Sequence, residues 1–158
     1  MLKTVTVINE FVREVLDKPC FGFVAAINES GHPQMSRFFG FNYDPELTTF
    51  TSYNFIKDFQ KMRDHILSGE KISIVVSSPV DFKTIQLKGT LNRIYETPEN
   101  EMNIPRSCNK TQSEIMERWG IPKEVFANWN FEQSVAVVMN VDEIFDQTPK
   151  VDTGKKIS

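Results

Sequence analysis

The sequence predicts a mainly β protein with α, a six-stranded antiparallel barrel with capping helices. Six segments rich in β-branched and aromatic residues follow one another, most of them joined by short hairpin-type turns. That order suits an antiparallel barrel and not the alternating βαβ units of a doubly wound sheet. Between the strand-like segments the apolar period lengthens to three or four residues, which marks helices. A chain of 158 residues can bury about two-thirds of its unfolded surface in one domain without metals or disulfides. We place that domain at residues 1–145 and a C-terminal tail at 146–158.

Val7, Ile8, Phe11, Val12, Val15 and Leu16 form a helical stripe, with Thr6 as its N-cap and Lys18-Pro19 as its stop. Residues 20–28 and 33–42 read as two strands joined at Glu29-Ser30-Gly31-His32. The turn Tyr43-Asp44-Pro45-Glu46 leads to a third strand at 47–51. After Ser52-Tyr53-Asn54, the recurrence of Ile56, Phe59, Met62, His65 and Ile66 predicts an amphipathic helix ending near Gly69. Strands follow at 71–77 and 84–95, separated by Ser78-Pro79-Val80-Asp81. Residues 97–129 are helical in character, with a stop at Gly120 and a new start at Pro122. A last strand covers 135–141, and the tail lacks apolar period, which predicts a surface extension or a partly disordered segment.

The net charge of −3, with cations scattered among acids, gives no footprint for nucleic acid. Residues 1–17 interrupt their apolar positions with Glu10, Arg13 and Glu14, unlike a signal peptide, and the apolar run 21–27 is too short to span a bilayer. These features predict a cytoplasmic protein with no membrane partner. Cys20 and Cys108 form no disulfide framework and read as reduced thiols, Cys20 as a small apolar strand residue. His32 and His65 have no companions at metal-ligand spacing, so no metal site is predicted. Nucleophile-elbow, Walker and dinucleotide-binding patterns are missing too, so no protein nucleophile announces a reaction.

Two features point to a small-molecule ligand. Phe38, Phe39, Phe41, Phe50, Tyr53 and Phe55 cluster where strand gives way to helix, and such aromatics serve either as core or as walls for a flat heterocycle. Ser52 to Lys57 then runs into a helix that also carries Lys61. A strand end meeting a helix N-terminus offers unpaired N–H groups, a favourable dipole, hydroxyls and lysines, which suits a phosphate. The alternative is a solvated lysine face.

Several strings in the same order resemble the pyridoxamine 5'-phosphate oxidase-like superfamily of FMN-binding split barrels. They are Phe23-Val24-Ala25-Ala26-Ile27 with its Glu-Ser-Gly-His-Pro turn, Ser36-Arg37 through Phe41, Thr51-Ser52, and Gln86-Leu87-Lys88-Gly89-Thr90. Residues 79–89, Gly120-Ile121-Pro122 and Phe145-Asp146-Gln147-Thr148-Pro149 are similar to uncharacterised members. The resemblance implies a homodimer with FMN at the interface. It makes Arg37, Ser52, Lys57 and Lys61 phosphate candidates, and Thr84, Gln86 and Lys88 ring-side candidates. Two departures stand out. Phe55-Ile56-Lys57 replaces the family's Ser-Arg-Lys phosphate string, and the chain closes on Thr153-Gly154-Lys155-Lys156-Ile157-Ser158 in place of an Arg-Leu-x-Pro-like terminus. The reading is therefore a flavoprotein other than a true pyridoxamine phosphate oxidase, doing redox chemistry on a small molecule. The alternatives are a non-enzymatic flavin- or haem-binding sensor domain using the same dimer cleft, and a scaffold without cofactor.

Overall fold

The structure, a computed structural model, describes residues 8–28, 30–63, 70–127 and 133–158, with backbone only for 61–63 and 127. Helix α1 (Glu10–Leu16) starts at Asn9, whose side-chain oxygen accepts from the Val12 amide at 2.9 Å. Asn9 takes the capping role assigned to Thr6, which lies outside the described residues with the rest of 1–7. The cap satisfies one of the amides that a helix start leaves without a partner.

Strands β1 (Phe21–Ile27), β2 (Pro33–Tyr43) and β3 (Thr49–Phe55) follow, then helix α2 (Ile56–Arg63), β4 (Lys71–Ser77) and β5 (Thr84–Glu96). Helices α3 (Asn103–Arg118) and α4 (Glu124–Ala127) precede β6 (Ser134–Asp146) and the two-residue β7 (Lys155–Lys156). The expected turn residue Glu29, the helical positions His65 and Ile66, and Trp129 lie outside the described residues. Neighbouring strands run β3-β2-β1-β4-β5-β6, every pair antiparallel, and a β3–β6 pairing closes the six into a barrel.

Alternation along each strand sends one set of side chains inside. Val24, Phe50, Ile74, Val76, Ile85, Leu87, Met139 and Ile144 are fully buried there, and each such side chain stabilises the fold by about 1.5–3 kcal/mol relative to exposure. Val12, Val15 and Leu16 of α1 join the same cluster, as does Phe59 of α2. Of the sequence-predicted aromatic cluster, Phe38 and Phe50 belong to this core and Phe41 packs against it, as does Tyr43 at the end of β2. Phe38 and Phe50 meet edge-on at 6.2 Å, and Phe41 stacks on Phe50 at 5.0 Å.

The third strand runs later than its sequence pattern indicates, 49–55 in place of 47–51. Asp44 delays it: its carboxylate accepts from the amides of Glu46, Thr48 and Thr49 and from the hydroxyls of Thr48 and Thr49, holding the chain in a turn until residue 49. Residues 52–54, expected as a connection, are then drawn into the barrel by pairing with β2 on one side and β6 on the other.

The tail is likewise more ordered than an extension. β6 continues five residues beyond Val141, β7 pairs with its end, and Ile157 packs against the core. Helix α3 crosses the outside of β2 at a bulge between Phe38 and Phe41. Gly40 sits there with φ +87°, and a Cβ on it would lie 2.9 Å from Ile104, so glycine meets both the backbone and the packing demand.

Candidate functional site

The register assembles the outer faces of five strands into rows. One row reads Arg37 on β2, Phe23 on β1, Val75 on β4, Gln86 on β5 and Phe145 on β6. The next reads Met35, Ala25, Ser73, Lys88 and Glu143. Arg37 and Gln86 are thus three strand spacings apart, about 14 Å along the sheet. Between them Phe23 is 42 % exposed, and Met35 beside the row is 65 % exposed.

Two grooves border this face. One, of about 380 Å³, runs between the β1–β2 surface and α3 and α4, walled by Phe21, Phe23, Arg37, Phe39, Met116 and Phe126. The other, of about 330 Å³, is lined by Ala25, Ile27, Ser73, Lys88 and Glu143 among others. Both are apolar with a few polar groups, the usual chemistry of a small-molecule site.

Arg37, which the resemblance makes a candidate for binding an anion, is exposed. It already faces one: its Nε lies 3.6 Å from a carboxylate oxygen of Asp58 in the first turn of α2, and its guanidinium carbon is 6.0 Å from the Phe39 ring centroid. Lys57, the neighbour of Asp58, is exposed on the same helix. The Lys61 side chain lies outside the described residues.

Ser52 is placed apart from Arg37. It lies inside the barrel, fully buried, where its hydroxyl accepts from the Asn54 side-chain amide at 2.9 Å. The cause is strand alternation: Phe50, Ser52 and Asn54 share the inner side, so Ser52 is kept from the Arg37 face by the barrel wall. Asn54 Nδ2 also donates to the carbonyls of Ser52 and Val135, so this pair is an internal polar tie.

The three ring-side candidates do share one surface. The Thr84 hydroxyl and the Ser77 hydroxyl are 2.7 Å apart. Gln86 donates from Nε2 to the Ser73 hydroxyl at 2.8 Å and accepts at Oε1 from Gln147 Nε2 at 2.9 Å. The Lys88 ammonium sits 4.4 Å from the centre of the Phe145 ring, a cation–π contact worth about 0.5–1 kcal/mol at an exposed position.

Sequence reasoning missed Asp58, Ser73, Phe145 and Gln147. Strand alternation on 71–77 places Ser73 once the register is known, but Asp58 and Gln147 gain meaning only from contacts across the fold. Elsewhere Glu101 accepts from the hydroxyls of Tyr53 at 2.9 Å and Tyr95 at 3.0 Å, and burial with that carboxylate pushes the Tyr53 hydroxyl well above its ordinary range. Burial also raises both thiols, Cys20 to about 12 and Cys108 to about 11, which leaves them protonated and unreactive at neutral pH. Among the described residues no three metal-ligating side chains gather, and no helix is long and apolar enough to cross a membrane.

No protein-family model matches the chain, and no curated protein matches it in sequence. Solved structures do match in fold. HupZ from Group A Streptococcus, in a form carrying a single alanine substitution, is similar at 16 % identity and TM-score 0.52 over 89 % of this chain and 99 % of that one. A second HupZ structure gives 14 % identity and TM-score 0.50 over 96 % and 100 %. A Clostridium acetobutylicum protein related to general stress protein 26, described as of the pyridoxinephosphate oxidase family, is similar at 14 % identity and TM-score 0.48 over 92 % and 91 %. With its closed six-stranded antiparallel barrel, the chain shares the split-barrel fold of the HupZ structures.

Proposed function

We propose that this chain is a cytoplasmic, homodimeric flavin-binding protein, with FMN lying along the outer sheet face and a small molecule as its redox partner. The observation that carries this reading is the row from Arg37 to Gln86: a cation at one end, apolar Phe23 and Val75 in the middle, and a hydrogen-bonding amide at the other. Such a row suits FMN at its two ends, the cation toward the phosphate and the amide toward the polar edge of the flat ring, with Phe23 and Val75 packing on the carbon backbone of the hydroxylated ribityl chain between them. Arg37 and Lys57 would hold the phosphate, with Lys61 a third candidate from the same helix, while Thr84, Gln86 and Lys88 would border the ring. Bound flavin supplies the electron transfer, and the protein contributes binding, orientation and exclusion of water.

The open face also supports a dimer. Phe23, Ile27 and Met35 are exposed together on it, and Phe82 and Trp119 form a further exposed pair with rings 5.9 Å apart. Apolar surface of this kind on a folded chain marks an interaction site, and a second copy would cover both the face and the ligand.

FMN titration of the purified protein, followed by quenching of flavin fluorescence, tests the reading. The parent is expected to bind FMN, and Arg37→Ala to weaken it about tenfold or more, the worth of one charge-assisted hydrogen bond. Riboflavin, which lacks the phosphate, should lose little. Absence of quenching in the parent would refute flavin binding, while equal losses for both ligands would remove Arg37 from the phosphate. Reduction of the bound flavin by a nicotinamide cofactor would add the enzymatic half of the proposal.

A further inference from the structure

We infer that Gln147, in the segment following β6, is a positioning residue for the Gln86 carboxamide and so makes the tail part of the ligand face; this rests on the flavin reading above. Gln86 is held at both ends. Its Nε2 donates to the Ser73 hydroxyl at 2.8 Å, and its Oε1 accepts from Gln147 Nε2 at 2.9 Å. A carboxamide has two N–H donors and two lone pairs, so this clamp leaves one of each for a ligand, in a fixed plane. Because the Ser73 hydroxyl can donate as well as accept, the plane is fixed for either polarity of the chain of bonds.

Gln147 is itself braced. Its amide donates to the Thr84 carbonyl at 2.8 Å, and the Thr84 amide donates back to the Thr148 hydroxyl at 3.1 Å. Before it, the Asp146 carboxylate accepts from the Thr148 amide and pairs with Lys150, and the Asp146 carbonyl accepts from the Gly154 amide at 2.7 Å. Gln86 therefore meets a side chain on a fixed backbone, the arrangement by which a supporting residue sets the geometry of a contacting one. Without Gln147, the Gln86 carboxamide would keep the Ser73 bond alone and could rotate about it.

Gln147→Met, which keeps the length of the side chain and removes its hydrogen bonds, is the informative variant, paired with Gln86→Met in a double-mutant cycle on FMN affinity. We expect Gln147→Met to raise the dissociation constant for FMN about fivefold, as for one neutral hydrogen bond. It should also shift the visible bands of the bound flavin and leave the urea midpoint unchanged. In a Gln86→Met background the same substitution should have no further effect. If it weakens binding equally in both backgrounds, Gln147 acts independently of Gln86 and the inference fails; it fails as well if Gln147→Met is silent while the parent binds FMN. A parent that binds no FMN refutes the flavin reading itself, and this inference with it.

Discussion

Gly89 shows how little room the barrel leaves at single positions. It lies at an irregularity in the β5–β6 pairing, and a Cβ built on it would lie 1.9 Å from the Asn140 carbonyl oxygen. Backbone cannot swing aside as a flexible side chain can. Gly89→Ala is therefore expected to cost more than about 3 kcal/mol, since overpacking is compounded by broken strand pairing. Urea denaturation measures it, and parental stability in the variant would contradict the placement of this bulge. Asp44 makes a second prediction at this scale. Burial pushes its carboxyl up, but hydrogen bonds from the Thr49 hydroxyl and the Thr48 and Thr49 amides outweigh that and bring it down to about 2, from an ordinary 3.8. A carboxyl depressed by folding contributes stability that is complete above about pH 4 and is lost as pH falls toward 2. With solvent screening allowed for, the contribution is about 1–2 kcal/mol. Asp44→Asn should therefore be less stable than the parent at pH 7 and lose less between pH 4 and pH 2, as equilibrium denaturation at several pH values would show.

Among the elements, α1 and the tail both fasten the barrel from outside its strand order. Three apolar residues of α1 enter the core, while Glu14, Lys18, Asp81 and Lys83 tie its surface to the β4–β5 turn. Those ion pairs are exposed and contribute little singly, so the helix is held by Val12, Val15 and Leu16. The tail is held by backbone bonds from β7 to β6 and by Ile157. Removing residues 150–158 should lower stability by about 1.5–3 kcal/mol, the worth of one buried aliphatic side chain. The same truncation removes the Asp146–Lys150 and Gly154–Asp146 braces behind Gln147. FMN affinity should fall along with stability; an unchanged urea midpoint would mean that β7 adds nothing to the fold.

At the scale of the whole molecule, the proposed ligand site and the proposed dimer interface fall on one surface. Phe23 stands in the middle of the Arg37–Gln86 row and is also among the exposed apolar residues that a second copy would cover. A half-exposed side chain can be replaced without opening a core cavity. Phe23→Arg should consequently remain folded, change the mass measured by light scattering from twice the chain to one chain, and lose FMN affinity in the same step. A parent that scatters as a monomer at micromolar concentration would contradict the dimer. A Phe23→Arg protein that stays dimeric would move the interface elsewhere, toward Phe82 and Trp119.

The amino-acid sequence by itself determined the element order and the antiparallel class, because strand alternation, helical period and turn residues are local and each segment carries its own signal. Six strands, the amphipathic helix after β3 and the break at Gly120 are all legible in that way. The sequence also brought Thr84, Gln86 and Lys88 to one side of one strand, since a period of two requires it. Only the tertiary structure decided which side of each strand faces out. That choice depends on where a strand begins and what it pairs with, and so Ser52, two residues from Phe50 on a strand started late by Asp44, went to the interior. Distant partners were equally hidden. Asp58 meets Arg37, and Gln147 meets Gln86 from 61 residues away, through contacts that barrel closure and strand register create and no local pattern encodes.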